Sequence, residues 1–176
     1  LARRVHARSH VAAGPFVAVR CAVLDPAGAE LFGGQQFEGA FAAARGGTLV
    51  LDEIGEVAPM LQRRLLDRLE PWSSEASEEV TPRLVVTTRR PFAEDVARAR
   101  LLPELALRLG VIVLSLPPLR ARTGDVALLA RHFARALAEA AGSAAPRLGE
   151  ATLSALAGAP AAHWDVQPAL RGVLDA

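Results

Sequence analysis

A chain of 176 residues, 51% of them hydrophobic, suits one domain or one domain with a small satellite, and is too apolar to be disordered. Its net charge of +1 gives no polyelectrolyte footprint for direct DNA contact, and no apolar run is long enough to cross a bilayer, so a cytoplasmic setting is the expectation. The single cysteine, Cys21, excludes an internal disulfide, and all 20 basic residues are arginine, so no lysine is present to reach a phosphate from a Gly-rich loop.

In chain order, Leu1 to Ser9 reads as a helix with Arg3, Arg4 and Arg8 on polar faces. Pro15 to Val23 reads as a strand centred on Phe16-Val17-Ala18-Val19, with Cys21 a buried, inert thiol. Pro26, Gly28 and Gly33-Gly34 break the chain, and Phe41 among alanines reads as helix core. Gly46-Gly47 then opens an apolar run, Thr48 to Leu51, without polar alternation, as in a parallel strand covered on both faces. It ends in Asp52-Glu53. Ligands of open α/β sheets sit beyond the carboxyl ends of the strands, where one acid can hold Mg²⁺ and the next can orient water. A strand followed by a helix N-terminus, where acids are favoured anyway, fits this stretch equally well.

Pro59 to Leu69 is a helix with an apolar stripe at Met60, Leu61, Leu65, Leu66 and Leu69, leaving Arg63, Arg64 and Arg68 to solvent. Pro71 to Pro82 is polar and loop-like, Arg83 to Thr88 is a strand, and Glu94 to Gly110 is helical in pattern. Val111 to Leu116 reads as the last strand, stopped by Pro117-Pro118. Thr123 and Asp125 are N-cap candidates for a helix running to Ala141, and Glu150 to Ala157 and Val166 to Ala176 are two further short helices.

Glu30-Leu31-Phe32-Gly33, the stretch Gly46 to Glu56, and Leu116-Pro117-Pro118-Leu119-Arg120-Ala121-Arg122 with Asp125 occur in one order. Together they resemble the AAA+ domain of bacterial sigma-54-dependent transcription activators. The resemblance runs from Leu1 to Ala176 and implies an α/β, P-loop NTPase-like parallel sheet with flanking helices over residues 1–122, then a helical lid over 123–176. It implies a sheet order of 5-1-4-3-2, of which this chain supplies strands 2 to 5. Either the first strand and the phosphate-binding loop lie upstream, which is the favoured expectation, or the sheet closes differently. By the same resemblance Asp52 and Glu53 correspond to the acidic pair that handles Mg²⁺ and water, Asp52 through a metal-bound water. Thr88 and Arg89 fall at the γ-phosphate sensor, Arg108 at an arginine finger, and Val126 against the nucleotide.

Departures from the pattern are as informative. Arg89 replaces the sensor's Asn, and an arginine cannot accept a hydrogen bond from an attacking water. Leu102 replaces the first finger arginine, while Arg108 is either a substitute finger or an ion-pair partner of Glu104. Gln167 or Pro168 stands where a sensing arginine is expected. The family's long loop with its GAFTGA hexapeptide, which engages sigma-54, has only Gln35 to Arg45 to occupy here. Either Gly39 to Ala44 is a worn hexapeptide, or the hexapeptide is deleted and Phe37 to Ala44 is the short stretch before the strand.

The reading that follows is a degenerate AAA+ domain, regulatory or scaffolding, with impaired ATP hydrolysis and no sigma-54 remodelling. ATP and Mg²⁺ are expected only with an upstream phosphate-binding loop, and no cofactor for this chain alone. A homo-oligomeric ring is the expected assembly. An active ATPase and a nucleotide-independent oligomerisation module are the alternatives.

Overall fold

The computed structural model describes residues 1–70 and 81–158, in two compact units, Leu1–Val113 and Leu114–Ala176. The expected helix Val166 to Ala176, the Gln167 and Pro168 positions, and most of the expected Pro71 to Pro82 loop lie outside the described residues.

The first unit is built on three parallel strands, β1 (Phe16–Arg20), β2 (Thr48–Asp52) and β3 (Arg83–Val86), in the order β1-β2-β3. The register pairs Phe16 with Thr48 and Thr48 with Arg83, and it brings Arg20 level with Asp52 at the carboxyl end. β2 is central and is buried on both faces from Thr48 to Leu51, as its unbroken apolar run requires. Gly46 has φ +68°, and a Cβ on Gly47 would lie 1.9 Å from the Pro15 carbonyl oxygen, so the glycine pair lets β2 start against the chain leading into β1.

Side chains alternate across the sheet. On one face Val19, Leu49 and Leu51 pack with Leu31, Phe41, Leu61, Leu65 and Leu105. These come from α2 (Ala29–Phe32), α3 (Ala40–Ala43), α4 (Pro59–Leu69) and α6 (Pro103–Leu109). On the other, α1 (Ala2–Ala7) places His6 Nδ1 2.9 Å from the Thr48 hydroxyl, with its ring edge-on to Phe16.

In α4 the buried positions are Leu61, Gln62, Leu65 and Leu69, one face at helical spacing. Met60 is 74% exposed, so it leaves the predicted stripe: it lies about 100° round the helix from Leu61. Gln62 takes a core place because its amide is fully used. Its Nε2 donates to the Val57 and Arg100 carbonyls, and its Oε1 accepts from the Leu102 N–H at 2.8 Å. Two arginines expected in solvent instead cover aromatic rings: Arg64 lies 4.4 Å from the Phe32 ring centroid and donates to the Ala27 carbonyl, and Arg68 lies 5.6 Å from Phe41.

Glu94 to Gly110 is not one helix. α5 (Phe92–Ala97) closes through Ala99, at φ 53°, with the Arg100 N–H returning to the Asp95 carbonyl; α6 restarts at Pro103. Pro103 bars Leu102 from helical dihedrals, which separates the two. The run Ile112 to Leu116, expected as a fourth strand, makes no ladder among the described residues, and Ile112 is 82% exposed. A strand is a pairing between two segments, and an apolar run by itself supplies only one of them. In the second unit, α7 (Thr123–Ala140) packs with α8 (Glu150–Ala157). Thr123 is already inside α7 and does not cap it, and Asp125 pairs with Arg122 at 3.0 Å.

Candidate functional site

The carboxyl end of β2 delivers Asp52 and Glu53 where β3 ends beside it. Thr87 joins them. Its N–H donates to the Leu51 carbonyl, and its carbonyl accepts from the Ile54 N–H. Its hydroxyl donates to Asp52 Oδ1 at 2.5 Å and accepts from the Glu53 N–H at 3.1 Å. One threonine thereby ties the side chain of the first acid and the backbone of the second to β3.

Glu53 sits in the left-handed region, φ 60° and ψ 58°, which a residue with a β-carbon adopts only when its surroundings hold it there. Its carboxylate is nearly buried and receives Arg89 Nη2 on Oε2 at 2.5 Å. A tight turn over Ile54–Glu56 follows. It is held by a second charge cluster, in which Arg90 donates from Nε to Asp95 Oδ1 at 2.8 Å and from Nη2 to Glu56 at 2.9 Å. The Asp95 hydrogen bond, then that of Glu56, pushes the Arg90 guanidinium pKa further up. Asp95 is fully buried, and a Cβ on Gly55 would lie 2.7 Å from its Oδ2, so the turn passes over the carboxylate only because residue 55 is glycine.

Thr88, an expected sensor position, faces this second cluster: its hydroxyl donates to the Arg90 carbonyl at 2.9 Å and lies 3.3 Å from Asp95 Oδ2. Thr87, one residue earlier, is the side chain that meets Asp52. Arg89 meets Glu53. Arg108 donates to the Glu70 carbonyl at 3.5 Å rather than pairing with Glu104, because α6 turns it toward the end of α4. Leu102 is packed against the core. Val126 is buried in α7 of the second unit. Burial and the nearby Asp52 and Glu53 push the Cys21 thiol up to about 12, which makes it inert, as expected.

The segment Gly39 to Ala44 is packed. Ala40, Phe41 and Ala44 are buried in and beside α3, and the Phe41 ring stacks on Phe32 with centroids 5.8 Å apart. Its entry is pinched shut: a Cβ on Gly39 would fall 2.1 Å from the Gly33 nitrogen, and the Gly34 N–H donates to the Phe37 carbonyl. Between them the chain makes only a short turn.

A parallel sheet with helices on both faces, an acidic pair at the carboxyl end of its central strand and a threonine bridging from the next strand define an AAA+ P-loop NTPase-like domain. The chain belongs to the Sigma-54 interaction domain family, which its residues 1–115 match. It is 38% identical over 155 residues to the transcriptional regulatory protein ZraR of Salmonella typhimurium, an alignment covering 79% of this chain and 35% of ZraR. With the Nif-specific regulatory protein of Rhodobacter capsulatus it shares 40% identity over 148 residues, 75% of this chain and 26% of that protein. The crystal structure of NtrX from Brucella abortus in complex with ATP superposes with a TM-score of 0.80 at 29% identity, covering 99% of this chain and 42% of NtrX. The chain thus spans about a quarter to a third of the length of the curated relatives it matches. Among the described residues no helix is long and apolar enough to cross a membrane, and no group of three or more His, Cys, Asp or Glu could hold a metal ion.

Proposed function

We propose that this chain is a degenerate AAA+ module of a sigma-54-activator-like regulator, acting as a regulatory or scaffolding element with impaired ATP hydrolysis and no remodelling of sigma-54. The observation that carries this reading is the burial of Phe41 and the closure at Gly33 and Gly39. A loop that works on a partner must project a side chain into solvent. Here the candidate phenylalanine is core, and the turn before it is too short to reach out. Of the two alignments, this geometry favours deletion of the hexapeptide.

The residues present do not fit a nucleotide with its magnesium. Asp52 retains one carboxylate oxygen beyond its bond from Thr87, but Glu53 is already neutralised by Arg89, and the chain has no lysine for phosphate. Carboxylates without a phosphate cradle repel a triphosphate. No catalytic step is therefore assigned to Asp52, Glu53, Thr88, Arg89, Arg108 or Val126. A second reading, nucleotide binding by the whole protein, is favoured by the likeness to NtrX, which was crystallised with ATP. A cytoplasmic location, a ring-like homo-oligomer and a lid beginning near Thr123 belong to the same proposal. Calorimetric titration of this chain with Mg·ATP tests it: the expected result is no binding in the low-micromolar range, and such binding would refute the reading.

A further inference from the structure

Residues 25–39 lead from β1 to α3 and contain α2, whose four residues are too few to persist as a helix without support. Their hydrogen bonds are local. Asp25 accepts from the Ala27 and Ala29 N–H groups at 2.8 and 2.9 Å, the Gly33 N–H donates to the Ala29 carbonyl at 2.8 Å, and the Gly34 N–H to the Phe37 carbonyl at 3.1 Å. Among the described residues, one hydrogen bond ties this stretch to the rest of the unit: Arg64 Nη1, from α4, donates to the Ala27 carbonyl. We propose that Arg64 is a strap that holds residues 25–41 closed on α4, and that its loss lets this stretch open as a unit. The inference rests on the reading of the stretch as a closed loop that does not project, and adds what keeps it closed.

The strap has two arms. The guanidinium that bonds the Ala27 carbonyl also lies 4.4 Å from the Phe32 ring centroid, within cation–π range. One planar group offers edge donors to the carbonyl and its face to the ring, and so grips α2 just before its start and at its last residue. Leu61, one turn earlier on α4, shows how close the two segments lie: a Cβ on Gly28 would fall 2.7 Å from Leu61 Cδ2. Phe32 passes the hold on, because its ring stacks on Phe41. Leu31 and Phe41 are buried, so apolar packing supplies most of the attachment and Arg64 sets how often it lets go. Arg68, which covers Phe41 from the next turn of α4, has further contacts of its own, and the strap does not depend on it.

The test is amide hydrogen exchange on the full-length protein as wild type, R64A, R64M, F32L, the R64M/F32L pair and R63A, a change at the exposed neighbour on α4. R64M keeps an apolar stem on α4, so the test stays readable if R64A fails to fold. The reporters are the Leu31, Phe32, Gly33 and Gly34 amides, which bond within the stretch; the references are the Thr48 and Thr87 amides, which bond within the sheet. The strap predicts that R64A and R64M speed the four reporters together by about tenfold, leave the references unchanged, and that R63A does neither. In F32L, which removes the ring, the further effect of R64M should be clearly smaller. Unchanged reporters in R64M overturn the strap, and so does an equal rise at the references, which marks global unfolding. An R64M effect undiminished in F32L overturns the two-armed grip. Exchange needs no nucleotide, so binding of Mg·ATP by this chain would refute the degenerate reading and leave this test intact.

Discussion

Truncating Phe41 to alanine separates a core residue from a loop-tip residue. Phe41 is 3% exposed, stacked on Phe32 at an interplanar angle of 19°, with the Arg68 guanidinium above its ring. Buried Phe→Ala changes cost about 3–5 kcal/mol through lost transfer energy and the cavity left behind. The Arg68 stem can settle partly into the gap, which places the expected loss near the lower end, about 3 kcal/mol. With a urea slope of about 2 kcal/mol per molar, the unfolding midpoint followed by far-UV circular dichroism should fall by roughly 1.5 M. Phe37→Ala is the internal control, since Phe37 is 55% exposed in the turn before α3 and its loss should stay within about 0.5 kcal/mol. If both variants unfold at the wild-type midpoint, Phe41 is not core and the argument for a lost partner-facing loop fails.

Asp95 supplies a second test. It is fully buried between Arg90 and Arg100, whose side chains are 30% and 38% exposed. Asp95→Asn removes the charge while leaving both arginines a route to water, so the loss should fall below the full range for a broken buried pair, at about 2 kcal/mol in the same denaturation assay; no change would show that the cluster does not hold the Ile54–Glu56 turn. Cys21 gives the pH dependence. Its native pKa is about 12 against 9.0 for the ordinary thiol, so above pH 9.0 the unfolded state releases a proton that the native state keeps. Stability from this group is therefore complete below pH 9.0 and declines as pH rises toward 12. In Cys21→Ala that part of the alkaline decline should be absent, and an identical decline in both proteins would contradict the assignment.

Much of the fold was legible because burial writes itself into local pattern. β2 carries an apolar run with no polar alternation, and α4 repeats its core positions at Leu61, Leu65 and Leu69. What could not be read depends on partners distant in sequence. Ile112 to Leu116 has strand-like composition, yet pairing requires a neighbour that a one-dimensional pattern does not specify. Gln62 and Asp95 are buried against Leu102, Arg90 and Arg100, partners that no local pattern specifies. At the site, Asp52 and Glu53 were visible as acids at a strand end, but the threonine that serves them is Thr87 and not Thr88. A shift of one residue at the end of β3 moves the hydroxyl to the other charge cluster. Arg89 was visible only as an unsuitable sensor. That it pairs with Glu53, 36 residues earlier in the chain, follows from the parallel register alone.

The central claim is that this domain no longer drives sigma-54-dependent initiation, and open-complex formation on a sigma-54 promoter measures it directly. The assay compares the domain fused behind a working phosphate-binding loop, with and without a grafted full-length GAFTGA loop in place of residues 35–45. Arg89→Asn and Leu102→Arg, which replace single donor or acceptor losses, are carried in both. The account predicts no transcript without the graft, even where the two substitutions restore hydrolysis, because no point change supplies the length missing between Gly33 and Gly39. Transcript from the ungrafted fusion would contradict it and leave an active sigma-54 activator in its place.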